Sequence, residues 1–276
     1  MQTYSRALTI AGSDSGGGAG IQADLKTFSA LGCYGMSVIT AITAQNTHEV
    51  TAVHAVPVEV IAAQLDAVLS DIGADAIKIG MLFSPEITKA VGTGLRRWGA
   101  GPVVVDPVMV SKSGDRLLTE PAVEALKEHV FPIAEVITPN LPEASALLGR
   151  EVTSHNDMEP AARDLLEFGA HAVLLKGGHL EGTSAADVLA VRGYDGGVMS
   201  RWFEFERIDT PNTHGTGCTL SSAIASFLAR GDRLESAVEA ARAYMQAAIA
   251  AGAQYELGHG HGPVHHFHAL WQEKAP

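Results

Sequence analysis

A short glycine-rich stretch late in the chain combines features that could bind an anion. Gly215 and Gly217 flank Thr216, and Cys218 follows at the start of an alanine-rich run with helical character. Glycine lets a backbone turn tightly and approach a ligand closely, and the first amides of a helix lack partners within it and carry partial positive charge. The stretch therefore predicts a phosphate site at a helix N-terminus, although an ordinary loop-to-helix turn would use the same residues.

The cysteine at this junction has two possible roles. A thiol at a helix N-terminus is electrostatically favoured to ionise, so Cys218 could act as a general base that accepts a proton from a substrate hydroxyl. Alternatively, Cys218 is a small residue that packs at the turn. The chemistry of the residue alone favours neither role.

Polar residues directly after two predicted strands offer ligands for a metal ion. Asp106 follows the apolar run Val103–Val105, and Asn140 and Glu143 follow Val136–Ile137. Their oxygens are of the kind that magnesium prefers, directly or through water. Asn140 and Glu143 also have the spacing of a capping box at the start of a helix. Both interpretations can hold at once.

Three further segments raise the question of ligand contact. Lys176 ends a predicted strand and could bind phosphate as a point charge, or it could be solvated.

Residues 11–20 lack the Gly-Lys-Ser/Thr of a P-loop and the acidic partner of a dinucleotide fingerprint, so they are either a wall for a flat substrate or a solvent loop. The five histidines from His259 to His268 match no recognised zinc spacing, which favours a packed or surface tail over a metal site.

The elements that must position these residues alternate between strands and helices. Apolar runs predict strands at residues 7–10, 38–43, 50–56, 76–79, 103–105, 136–137 and 172–175, with an antiparallel pair near 187–191 and 202–207. Helical spacing predicts helices at residues 19–31, 61–69, 85–98, 121–130, 142–148, 159–168, 217–229 and 234–251. This alternation predicts one domain over residues 1–276, with a mostly parallel sheet covered by helices on both faces and ligands beyond the carboxyl ends of its strands.

Composition and charge exclude several classes of protein. The 276 residues are 46% hydrophobic and carry 19 Lys and Arg against 31 Asp and Glu, a formal net charge of −12. These values are typical of an α/β enzyme and not of a disordered chain, and without a Lys/Arg cluster nucleic acid is not an expected partner. The two cysteines, Cys33 and Cys218, indicate a reducing compartment. No apolar run approaches the ~18 residues of a membrane helix, so we expect a cytoplasmic protein without a membrane partner.

Seven ordered blocks of the sequence resemble the hydroxymethylpyrimidine/phosphomethylpyrimidine kinases of thiamine biosynthesis. The blocks begin at Thr9, Thr40, Lys78, Val105, Thr138, Leu175 and Asn212 and read TIAGSDSGGGAGIQADLKT, TAITAQNT, KIGML, VDPVMVSKSG, TPNLPEA, LKGGH and NTHGTGCTLSSA. The resemblance implies the ribokinase-like fold, an α/β three-layer sandwich with a mostly parallel central sheet and helices on both faces.

The resemblance also implies an activity and a set of roles. The activity is a Mg-ATP kinase that phosphorylates the hydroxymethyl group of 4-amino-5-hydroxymethyl-2-methylpyrimidine and then converts the monophosphate to the diphosphate. The implied anion hole and catalytic group are Gly215, Thr216, Gly217 and Cys218, with Cys218 closest to the reacting hydroxyl. The implied substrate residues are Gln45, Gly12, Ala19, Met81, Val108 and His214. The implied nucleotide and phosphate residues are Lys176, Thr210 and Asn140, and the implied Mg²⁺ ligands are Asp106 and Glu143.

Cysteine at position 218 departs from the wider ribokinase-like fold, which usually has aspartate there. We hypothesise that a small neutral thiol avoids the repulsion that a carboxylate would add beside two incoming phosphates. Two other functions remain open: a pyridoxal kinase on the same fold, and a non-catalytic regulator that binds a pyrimidine or nucleotide. The resemblance also suggests a homodimer, with residues 33–56 as an interface or lid element.

Overall fold

Nine strands in the described part of the chain form one sheet. The computed structural model describes residues 2–99, 101–109, 119–178, 180, 184–193 and 196–271. The strands are Arg6–Asp14 (β1), Tyr34–Gln45 (β2), Val50–Ala55 (β3), Ala76–Ile79 (β4), Val103–Val105 (β5), Val136–Ile137 (β6), Ala172–Lys176 (β7), Ser184–Arg192 (β8) and Val198–Glu206 (β9). Their spatial order is β3-β2-β1-β4-β5-β6-β7-β8-β9.

The sheet is parallel at its centre and antiparallel at its two edges. The five pairings from β2 through β1, β4, β5 and β6 to β7 are parallel, whereas β3 on β2, β8 on β7 and β9 on β8 are antiparallel. The predicted mostly parallel sheet and the antiparallel pair near residues 187–191 and 202–207 are therefore confirmed.

Eight helices in the described residues cover both faces of this sheet. They are Gly20–Ala30 (α1), Val58–Asp71 (α2), Pro85–Trp98 (α3), Glu120–His129 (α4), Leu141–Leu148 (α5), His155–Leu165 (α6), Thr216–Ala229 (α7) and Leu234–Gly252 (α8). Alternate strand residues point to opposite faces: Val103 and Val105 join a core with α2 to α6, and Val104 joins a second core with α1, α7 and α8. The result is the predicted three-layer α/β arrangement.

Several element boundaries differ from the prediction. The first strand does not stop near Ile10 but continues through Gly12 to Asp14, and its register against β2 shifts between Ala11 and Ser13. Such an irregularity bends a strand without ending it. The helix predicted at residues 159–168 instead occupies His155–Leu165, followed by a short 3-10 turn.

The helices themselves give no sign of a membrane segment. Within the described residues, every helix is too short or too polar to cross a lipid bilayer.

Candidate active site

A cavity of about 400 Å³ lies at the carboxyl ends of five parallel strands. Asp14 ends β1, Met81 follows β4, Asp106 follows β5, Asn140 follows β6 and Lys176 ends β7, and all five residues line the cavity. The crossover connections of a parallel sheet bring these chain segments to one edge, so the polar clusters that the sequence distributes over 160 residues become neighbours here.

Most of the residues that the sequence predicted for the site line this cavity. They are Gly12, Ala19, Gln45, Met81, Asp106, Val108, Asn140, Glu143, Lys176, His214, Gly215, Thr216, Gly217 and Cys218. Thr210 is not among the described residues that line it, and its hydroxyl accepts a hydrogen bond from the Asn212 amide at 3.1 Å. His179 and residues 110–114 of the quoted motifs lie outside the described residues.

The N-terminus of α7 opens onto the cavity. Gly215 precedes the helix with a φ of 78°, and among the described residues no side chain caps it. A Cβ at Gly215 would collide with the carbonyl oxygen of Gly18, so only glycine permits both this backbone conformation and this close approach. The first amides of α7 thus remain available to an anion.

A lysine and an aspartate form an ion pair beneath this helix end. Lys176 Nζ donates to Asp106 Oδ1 at 2.8 Å, and the Lys176 side chain is 14% exposed. A Cβ at Gly217 would lie 3.0 Å from Asp106 Oδ2 and 3.4 Å from Lys176 Nζ, so the pair lies directly against the α7 turn. The alternative of a solvated Lys176 is therefore wrong.

Asn140 and Glu143 form the predicted capping box at the start of α5. Asn140 Oδ1 accepts from the Glu143 amide at 2.9 Å, and Glu143 Oε2 accepts from the Asn140 amide at 2.8 Å. Burial raises the pKa of Glu143 to about 7, an effect that Lys176 opposes and Asp106 reinforces. Asp106 and Glu143 both line the cavity, and carboxylates are oxygen ligands that suit Mg²⁺, so the residues present fit that ion.

Cys218 lines the cavity as a neutral thiol. Its sulfur accepts from the backbone amide of Gly20, and burial raises the pKa of the thiol to about 11, although the Lys78 ammonium opposes this rise. The expectation that the helix N-terminus would favour ionisation is wrong because removal from water outweighs the helix end and the nearby cation. Cys218 in the free protein is therefore not a ready general base.

The glycine-rich residues after β1 are organised by one aspartate that the sequence reasoning missed. Asp14 accepts from the amides of Gly16 at 2.8 Å, Gly18 at 3.1 Å and Ala19 at 2.8 Å, and lies 2.9 Å from His214 Nε2. Burial opposes its charge, but His214 and these amides lower the pKa of Asp14 on balance. The loop is thus held in one conformation, with Ser13, Asp14 and Ala19 lining the cavity and Ser15 and Gly16 exposed to solvent. An aspartate two residues before a glycine run is a known turn signal.

Comparison with known proteins identifies the family. A model of the phosphomethylpyrimidine kinase family matches residues 14–265. The chain belongs to this family.

Individual relatives align with nearly the whole chain. The chain is 56% identical over 268 residues to a hydroxymethylpyrimidine/phosphomethylpyrimidine kinase of Rhizobium meliloti, covering 97% of this chain and 98% of that protein. It is 49% identical to the protein of the same name from Escherichia coli, covering 96% and 98%. Among solved structures, it resembles a phosphomethylpyrimidine kinase of Clostridium difficile (TM-score 0.78, 46% identity, 88% and 99% covered).

The chain also resembles a second group of solved structures, which are pyridoxal kinases. The chain resembles the pyridoxal kinase of Staphylococcus aureus in complex with pyridoxal, with a TM-score of 0.87, 38% identity, and coverage of 98% of this chain and 96% of that one. These similarities confirm the ribokinase-like fold that the sequence predicted.

In this member of the phosphomethylpyrimidine kinase family, polar side chains line one wall of the cavity. Gln45 Nε2 lies 3.4 Å from His214 Nε2, and Gln45 Oε1 accepts from the Thr43 hydroxyl at 3.1 Å. Gly12 lies close to Met81, because a Cβ at Gly12 would lie 2.7 Å from the Met81 methyl. Gln45, His214 and Met81 thus place an amide, an imidazole and a thioether in the lining of one cavity.

The histidine-rich tail packs against the loops behind this wall. The His214 amide donates to the Gly262 carbonyl at 3.0 Å, and the His261 amide donates to the Thr47 carbonyl at 2.9 Å. His266 is buried, and its Nε2 lies 3.1 Å from the Thr219 hydroxyl. Among the described residues, no group of three or more His, Cys, Asp or Glu side chains has the arrangement of a metal site. The tail is packed at Gly262, Val264 and His266 and exposed at His259 and His261, in agreement with the expected packed or surface segment.

Proposed function

We propose that this chain is an ATP-dependent kinase of thiamine diphosphate biosynthesis. It phosphorylates 4-amino-5-hydroxymethyl-2-methylpyrimidine and then converts the monophosphate to the diphosphate. The observation that carries the proposal is the uncapped start of α7 lying over the Lys176–Asp106 pair in one cavity, in a chain that belongs to the phosphomethylpyrimidine kinase family.

The proposal divides the cavity between an acceptor and a phosphate region. The pyrimidine ring lies against Gly12, Ala19, Gln45, Met81, Val108 and His214. The transferring phosphoryl group lies on the amides of residues 215–218, where fixed dipoles stabilise charge that develops in the transition state. Lys176 supplies a positive charge from below, at 14% exposure. Catalysis of this kind is mostly positioning and charge neutralisation.

Asp106 and Glu143 would hold Mg²⁺ in this proposal. The ion would neutralise charge on the nucleotide phosphates, and both residues line the cavity. Asn140 keeps its role as the helix cap beside the phosphates. Thr210, on the loop before α7, remains a predicted phosphate contact.

Cys218 positions the acceptor in this proposal. A thiol with a pKa of about 11 stays protonated near neutral pH and can orient the substrate hydroxyl through a hydrogen bond. The second acceptor needs no base, because a phosphate monoester is already largely ionised near neutral pH. A neutral group at this position therefore serves both steps.

A second candidate function is pyridoxal kinase. Solved pyridoxal kinases from Staphylococcus aureus and Bacillus subtilis are 38% and 40% identical to this chain, with TM-scores of 0.87 and 0.85. Pyridoxal and the aminopyrimidine are both flat heteroaromatic rings with a hydroxymethyl group. We expect Gln45 and Met81 to favour the aminopyrimidine, so that pyridoxal is the poorer acceptor.

One assay separates these candidates. The purified protein is incubated with Mg-ATP and each acceptor, and the mono- and diphosphate products are resolved over time. We expect diphosphate to follow monophosphate with the aminopyrimidine, and a lower kcat/KM with pyridoxal. A higher kcat/KM with pyridoxal would instead identify a pyridoxal kinase, and no ATP consumption with either acceptor would indicate the non-catalytic regulator.

A matched pair of lysine variants controls this assay. Lys176→Met should lower kcat by about 100-fold, the scale of losing one charge-stabilising donor. Lys127→Met, which removes a lysine paired with Glu124 on α4, should leave it unchanged. Equal effects of both variants would contradict the proposed role of the cavity.

We also propose the organisation of the protein. It is a single kinase domain over residues 1–276, and it acts in the cytoplasm as a homodimer. One continuous sheet supports the single domain, and the free thiols of Cys33 and Cys218 support a reducing compartment.

A further inference from the structure

A buried ion pair lies behind the candidate active site and has no part in the function proposed so far. Lys78 Nζ donates to both carboxylate oxygens of Asp24, at 2.8 and 2.9 Å, and both side chains are fully buried. Lys78 opens one of the motifs that resemble the kinase family, but its residue type and spacing alone indicated no role.

Two hydroxyl groups complete the network around the carboxylate. Thr9 donates to Asp24 Oδ2 at 2.6 Å, and Ser222 donates to Asp24 Oδ1 at 2.6 Å. A buried ion pair is often no more stabilising than an apolar pair of the same size, because both charges lose their hydration. The contribution of this pair to the stability of the fold is therefore not sufficient to explain its presence.

The pair lies one helical turn behind the reacting groups. Asp24 is four residues after Gly20, whose amide contacts the Cys218 sulfur, and Ser222 is four residues after Cys218. Residues four apart lie one above the other on a helix, so α1 and α7 carry Asp24 and Ser222 directly below the thiol. Both helices thus connect the pair to the floor of the cavity.

The positive end of the pair is on the cavity side. A Cβ at Gly80, the residue before cavity-lining Met81, would lie 2.8 Å from Lys78 Nζ. Burial opposes the charge on this ammonium, but Asp24, Cys218 and Asp106 together raise the pKa of Lys78 on balance. Of the charged groups that face Cys218, Lys78 has the largest effect on its thiol and acts against Asp24 and Asp106.

We propose that Lys78 is a positioning residue of phosphoryl transfer. Its ammonium, fixed by Asp24, Thr9 and Ser222, provides a permanent positive potential behind Cys218 and the first amides of α7. This potential stabilises the negative charge that develops on the acceptor oxygen and the transferring group. A cation held in place before the reaction needs no reorganisation during it. The kinetic part of this inference rests on the proposed kinase activity.

Two variants separate this role from a structural one. Lys78→Met leaves Asp24 buried without its cation and should destabilise the fold, whereas the double variant Lys78→Met/Asp24→Asn removes both charges and should recover stability. We expect kcat to remain about ten- to 100-fold low in both, below the ~100- to 1,000-fold typical of losing a donor that contacts the reacting oxygen, because Lys78 acts from behind Cys218 and the α7 amides. KM for ATP should be nearly unchanged. Lys78→Arg, which keeps the charge, should regain part of kcat. Recovery of both stability and kcat in the double variant would overturn the proposal.

A second readout does not depend on kinase activity. Iodoacetamide alkylation of Cys218, followed by peptide mass spectrometry at one alkaline pH, reports the thiolate fraction, with Cys33 as the internal reference. Lys78→Met should react more slowly than the unmodified protein, and the double variant should also react more slowly but by a smaller factor, because Asp24 acts on the thiol in the opposite direction; about a tenfold decrease corresponds to one pKa unit. Unchanged alkylation in both variants would refute the inference. If the unmodified protein lacked kinase activity, the proposed function would fail, and alkylation would still show whether the Lys78 ammonium acts on Cys218.

Discussion

The thiol of Cys218 lies where negative charge is already disfavoured. Burial, Asp24 and Asp106 raise its pKa, and only Lys78 among these charged neighbours acts in the opposite direction. A carboxylate at this position would bring another negative charge close to Asp106 and to any phosphate held by the α7 amides. This environment gives the hypothesis about neutral cysteine a physical basis.

Replacing this thiol by a carboxylate should affect the two phosphorylations unequally. In Cys218→Asp we expect kcat/KM to fall about tenfold more for the monophosphate acceptor than for the alcohol, equivalent to about 1.4 kcal/mol of extra repulsion. Cys218→Ser, which stays neutral, should lower both by similar factors. Single-turnover measurements on each acceptor test this; equal losses in Cys218→Asp would show that charge is not the reason for cysteine.

At the scale of single residues, the sequence predicted the polar side chains at the ends of strands but not the long-range contacts that hold neighbouring side chains in place. Lys176 and Asp106 could be named because polar residues after parallel strands gather at one edge. The turn at Asp14 has a local sequence signal, but its contact with His214, 200 residues away, has none. The Lys78–Asp24 pair spans 54 residues and likewise exists only once β4 and α1 pack together.

At the scale of elements, the loop before α7 meets the loop after β1 at Gly215, where there is no space for a side chain. Gly215 has a φ of 78° and faces the Gly18 carbonyl, whereas Gly32 has the same φ of 78° but nothing within 4 Å of the position that a Cβ would occupy. These two glycines therefore separate the cost of backbone conformation from the cost of a collision.

Gly215→Ala should be far more damaging than Gly32→Ala. Both variants incur about 1–2 kcal/mol for a non-glycine residue in the left-handed region, but only Gly215→Ala must also push the Gly18 loop away from α7. We expect Gly32→Ala to retain normal kcat and Gly215→Ala to lose nearly all activity, with a larger drop in the free energy of unfolding. Urea unfolding and product assays measure both; similar behaviour would mean that the contact with Gly18 is dispensable.

The tail and α7 are joined by a histidine that the fold keeps neutral. Burial lowers the pKa of His266 to about 3, with a smaller contribution from Lys26. The unfolded chain, with a histidine pKa of about 6.5, binds this proton more readily than the folded protein. The contribution of neutral His266 to the free energy of unfolding is therefore fully present above about pH 6.5, and it is lost as pH falls towards 3.

Removing this histidine should flatten the pH dependence of stability. His266→Gln can still bond the Thr219 hydroxyl but does not titrate. Below about pH 6.5 we expect the free energy of unfolding of the unmodified protein to fall faster than that of the variant, by at most about 1.4 kcal/mol per pH unit. Urea unfolding at a series of pH values gives the difference curve. If the difference in free energy of unfolding between the two proteins did not change with pH below 6.5, protonation of His266 would not destabilise the fold.

Element types were predictable from periodicity, but the contacts between elements were not. The helix of residues 85–98 and the buried strand of residues 103–105 agree with the structure because each has a strong local pattern. The first strand continues past its predicted end at Ile10 because Gly12 does not terminate it and instead admits the Met81 side chain beside a continuing strand. Burial, which the sequence does not state, also reversed the expected ionisation of Cys218.

At the scale of the whole molecule, the sheet leaves two different edges. Strand β3 forms one edge and β9 the other. Ile42 on β2 is 52% exposed and pairs with His54 of β3, and Met199 on β9 is 63% exposed. Unpaired edges and exposed apolar side chains are features that a partner subunit can cover. The edge at β3 lies in the segment for which the sequence suggested an interface.

A charge on β2 beside the β3 edge should therefore break the proposed homodimer, while the same charge at the β9 edge should not. Ile42→Glu places a carboxylate in the proposed interface, where its removal from water without a partner is unfavourable. Met199→Glu introduces the same group on β9. Light scattering coupled to size exclusion should give dimeric unmodified protein and Met199→Glu, and a monomer or a much weaker dimer for Ile42→Glu. A dimer that only Met199→Glu disrupts would move the interface to β9, and a monomeric unmodified protein would exclude the homodimer.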